Sequence, residues 1–115
     1  MFDWDNLEPN VQTHRRLEDV VYWGMSWNVP KYDQPLHDQL KAHYGKINAA
    51  TVIETILPTV RTGNLQVAVY DLTAQKIWTA NARAEGESGP LNAYERTFVE
   101  VDMKAVFQRA TELAK

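Results

Sequence analysis

Apolar and polar positions alternate with a period of two most clearly in LQVAVYDLTAQKIWTANA, residues 65–82. Leu65, Val67 and Val69 alternate with Gln66, Ala68 and Tyr70, and after a turn Ile77, Thr79 and Asn81 alternate with Trp78, Ala80 and Ala82. That period marks strands, so the stretch predicts an antiparallel hairpin. Asp71 opens the turn DLTAQK, where its carboxylate can accept a hydrogen bond from a backbone N–H two residues on. A sheet with one wet face alternates apolar with polar side chains. Here Tyr70 and Ala68 oppose the valines and Trp78 opposes Ile77, so the hairpin calls for cover on both sides.

The period changes to helical on either side of the hairpin. Asp33 is placed to cap a helix through Tyr44, with Pro35 near its start, Leu36, Leu40 and Tyr44 on one face, and Gly45 as the left-handed stop. Asn48 is a second cap, ahead of the stripe Val52, Ile53, Ile56, Leu57 and Val60. Pro58 lies within that stripe and should bend or end the helix, because it lacks an N–H and crowds the Glu54 carbonyl. TFVEV, residues 97–101, predicts a third strand. Asp102 is placed to cap a final helix with Met103, Val106, Phe107, Ala110, Leu113 and Ala114 on one face. Between hairpin and third strand, RAEGESGPLNAYER is long for a connection, and such loops are usually mobile or functional. Residues 1–10, with Phe2, Trp4 and Leu7 among acidic residues, read as an extended arm, and residues 11–23 as a short helix or strand. Helices around a sheet apolar on both faces give an α+β layered fold. Three strands leave exposed edges liable to pair with another chain.

Composition narrows this picture. With 115 residues, 44% of them hydrophobic, the chain fits one domain with a modest core. The twelve Lys and Arg are scattered and the net charge is −3, so no electrostatic footprint for nucleic acid or an anionic membrane appears. No segment reaches the roughly 18–20 apolar residues of a membrane span, and the first ten residues lack a signal-peptide pattern, so a soluble chain is expected. There is no cysteine, which excludes disulfides, thiolate zinc sites and a cysteine nucleophile within these residues.

Candidate chemistry is sparse. His14, His37 and His43 form no HExxH or i, i+4 pair, and no metal or other cofactor is expected. Ser88 lies in the charged loop EGESGP rather than at a strand-to-helix elbow, and reads as a turn residue. The carboxylate pairs Glu18–Asp19 and Glu85/Glu87 read as solvated, and TGNL and SGPL lack the glycine spacing of a phosphate-binding loop. YWGMSWN, residues 22–28, is the densest cluster of large side chains. Trp23, Met25 and Trp27 line a pocket for an acyl chain or ring, with Asn28 orienting a polar group, or else pack on the sheet. Asn81 and Arg83, at the end of a strand, either reach into a cleft or are solvated there.

Several phrases resemble a known family. YGKIN leading into a helix, AVYDLTAQKIWTANA as a hairpin, AYERTF and the closing DMKAVF, with YWGMSW ahead of the first helix, are similar to the C-terminal part of acid-ceramidase-like self-cleaving amidases and acyltransferases. That group of N-terminal-nucleophile hydrolases includes isopenicillin N acyltransferase. The resemblance spans about 95 residues and rests on structural motifs. It implies part of an αββα sandwich, two sheets covered by helices on their outer faces, and a substrate with an N-acyl amide bond. In the family an N-terminal cysteine attacks the amide carbonyl. This sequence has none and begins with Met1, so no catalytic residue carries over. The expectation is a C-terminal portion or subunit that is inactive alone and depends on a nucleophile-bearing chain. The alternative is a non-catalytic module of the same fold that binds a small lipid-like ligand or forms a homo-oligomer.

Overall fold

A computed structural model of the chain describes residues 17–20 and 33–115. The arm at 1–10, the segment 11–16 and the aromatic loop around Trp23 lie outside the described residues. The chain divides into two units, Met1–Ile47 and Asn48–Lys115.

In the first unit, helix α1 spans Asp33–Ala42. Gln34 Nε2 donates to Asp38 Oδ1 across one turn at 2.7 Å. The chain leaves the helix through Gly45 at φ +75°, the left-handed stop expected there. Residues 17–20 form a tight turn in which the Val20 N–H donates to the Leu17 carbonyl and Asp19 takes φ +59°. Tyr44 Oη donates to Asp19 Oδ2 at 3.0 Å. That bond, and the negative charge beside it, hold the Tyr44 phenol above its ordinary pKa.

The second unit begins with helix α2, a continuous run of Ala49–Thr51, Val52–Ile56 and Leu57–Val60. Asn48 caps it as expected, its Oδ1 accepting from the Thr51 N–H at 2.9 Å. Pro58 does not end the helix. Instead Val52–Ile56 widens to π-helix, and the Leu57 N–H donates to the Val52 carbonyl five residues back. The wide turn lets Pro58 sit in the first turn of the α-helical stretch that follows, where a missing N–H costs no hydrogen bond. Arg61, at φ +57°, closes the run.

Three antiparallel strands follow, ordered β1 (Gln66–Asp71), β2 (Lys76–Asn81) and β3 (Val99–Asp102). The β1–β2 register runs from Gln66↔Asn81 to Asp71↔Lys76, and the β2–β3 register from Lys76↔Asp102 to Thr79↔Val99. The hairpin loop is residues 72–75. Asp71 Oδ1 accepts from the Ala74 N–H at 2.8 Å, three residues on rather than two, and Gln75 closes the loop at φ +55°. Helix α3, Met103–Leu113, starts at once from β3, capped as expected by Asp102 Oδ1 on the Ala105 N–H.

The connection 83–98 is tied down along its length. Arg83 donates to the Gly89 carbonyl, and Arg96 to the Ser88 and Pro90 carbonyls and to Glu87 Oε2. The 3-10 turn Ala93–Glu95 seats Ala93 at 0% exposure, its N–H on the Asn64 carbonyl. The core of this unit is Ile56, Leu57 and Val60 of α2, Ala80 of β2, and Ala93.

Candidate interaction face

The register sorts the strand residues into two faces. Val67 and Val69 of β1 share one face with Trp78 and Ala80 of β2. This is the face toward α2: Val67 and Val69 are half-buried, Ala80 is buried, and Gly63, just after the helix, comes so close that a Cβ there would sit 2.8 Å from Val67 Cβ. At the hairpin end the same face carries Asp71, Lys76, Glu100 and Asp102, every charged side chain of the three strands. Glu100 ties two of its neighbours together. Lys76 Nζ donates to Glu100 Oε1, and Trp78 Nε1 donates to Oε2 at 3.1 Å. The hydrogen bond to Glu100, reinforced by its charge, raises the Lys76 pKa above the usual lysine value.

The opposite face carries no charge. It consists of Gln66, Ala68 and Tyr70 of β1, Ile77, Thr79 and Asn81 of β2, and Val99 and Val101 of β3. Five of these eight are exposed: Gln66, Ala68, Tyr70, Asn81 and Val99. Tyr70 and Val99 are each 63% exposed, which for large apolar or amphipathic side chains in mid-strand marks a face that the described elements of its own unit leave uncovered. Helix α3 flanks the hairpin end of this face. A groove of about 300 Å³ lies between them, lined by Tyr70, Leu72, Ile77, Met103 and Phe107, with Asp71, Gln75 and Lys76 at its hairpin rim. The helix buries none of its residues, and its stripe leaves Val106, Phe107 and Leu113 exposed. A stripe at the spacing of Met103, Val106, Phe107, Ala110 and Leu113 normally lies against a partner surface.

Of the side chains singled out in the sequence, Trp23, Met25, Trp27 and Asn28 lie outside the described residues. Asn81 stands exposed at the end of β2, on the uncharged face. Arg83 is turned to the Gly89 carbonyl at 2.9 Å. Among the described residues no three His, Cys, Asp or Glu come together in a group that could hold a metal, and no helix is long and apolar enough to cross a membrane. Apart from Asn81, the residues of the uncharged face and of the groove beside it were not among the candidate site residues. Their signal was present in the alternation, since Ala68 and Tyr70 stand where a wet face would place polar side chains.

Compared with protein-family models, curated proteins and solved structures, the chain matches none.

Proposed function

We propose that this chain is a non-catalytic assembly module, one helix-covered sheet layer whose uncharged face packs against a second sheet. The observation that carries the reading is the asymmetry of the sheet: α2 and the turn at Ala93 cover the Val67–Ala80 end of one face, while Tyr70, Val99 and the α3 stripe stay exposed on the other. Sheets packed face to face bury such surfaces about 10 Å apart. The resemblance to acid-ceramidase-like amidases gives the module a place, as the C-terminal layer of an αββα sandwich acting on N-acyl amides. A partner would bring the nucleophile, because this chain holds no cysteine.

Two measurements test the reading. The purified chain should not hydrolyse N-acyl amides; turnover that survives exhaustive purification counts against a non-catalytic role. As an isolated monomer it should melt broadly and bind an apolar dye such as ANS, and Tyr70→Lys should reduce that binding. A sharp, cooperative melt of a monomer that binds no dye sinks the module reading.

A further inference from the structure

We draw no further inference here: the strongest candidate, the uncharged Tyr70–Val99 face of the sheet with the groove between it and α3, whose hairpin rim holds Asp71 and Lys76, carries none because nothing in the structure shows what covers it.

Discussion

The two faces of the three-stranded sheet share one backbone and differ in almost everything else. On one, Val67 and Ala80 stand beside the residues that α2 and the Ala93 turn bury, and the charges collect at the hairpin end, where Glu100 bridges Lys76 and Trp78. On the other, eight uncharged side chains face outward, with Tyr70 and Val99 largely exposed. A half-buried sheet ordinarily pairs a dry apolar face with a wet polar one. Here the sealed side holds the charge and the open side has none. Burial within this chain and polarity in its sequence therefore report different things: the first shows which face α2 covers, the second shows which face is suited to dry contact.

Substitutions on the two sides should separate sharply, provided they are measured where the chain is monomeric. Leu57→Ala, at 8% exposure against the sealed side, should cost about 2–5 kcal/mol in denaturant melts. Val99→Ala on the open face should stay within about 0.5 kcal/mol in the monomer. Equal losses at the two sites would erase the contrast. Gly63→Ala should come next, at about 2 kcal/mol. It combines φ +85° with a Cβ placed 2.8 Å from Val67 Cβ, and both the strain and the clash act on the sealed side. Asp102→Ala removes the cap of α3 and should cost about 1 kcal/mol. Gln75→Gly should stabilise the hairpin by about 0.5–1 kcal/mol, since the loop needs φ +55° there and glycine adopts it without strain.

The smallest effect concerns pH. The Lys76 pKa is raised in the folded state by its hydrogen bond to Glu100, so the charged form is the one favoured by folding. The stability from this pair is fully present below the ordinary lysine value of 10.5 and fades as pH climbs through the raised value. Melts between pH 9 and 12 should show a decline that Glu100→Gln lacks; parallel curves would remove Lys76 from the account.

Much of the local structure was legible in the sequence. Alternation placed β1 and β2, and Asn48, Asp102 and Gly45 marked helix ends because caps and left-handed stops act over a few residues and need no tertiary context. Pro58 was expected to bend or end the helix, and the form its effect takes has a physical reason. A missing N–H disrupts a regular α-helix, but a widened turn upstream moves the vacancy to a helix start, and nothing in the residue pattern announces such a turn. The hydrogen bonds of the loop at 83–98 were not legible, because length alone cannot show that Arg96 will gather two carbonyls and a carboxylate. The candidate site fared differently. Apolar character on both sides of the hairpin signalled that cover was needed, yet the segregation of charge emerges only when β3 is paired in register with β2. Pairing across a gap of that length is set by non-local contacts that a local pattern does not carry.

The widened turn in α2 has a consequence for how that helix meets the sheet. A five-residue turn is a slip of phase: Leu57 falls above Val52 instead of Ile53, and Ile56 above Thr51. Half-buried Thr51 is thereby drawn to the inner side of a helix whose plain α-helical winding would have turned it outward. Deleting one residue between Val52 and Ile56 would restore the even winding with Leu57 still above Val52, now four residues on, so both ends would keep their phase against the sheet; adding a residue would instead turn the Asn48 end by about 100°. The segment thus accepts the loss of one residue, which elsewhere in a helix would turn everything beyond it, but not the gain of one.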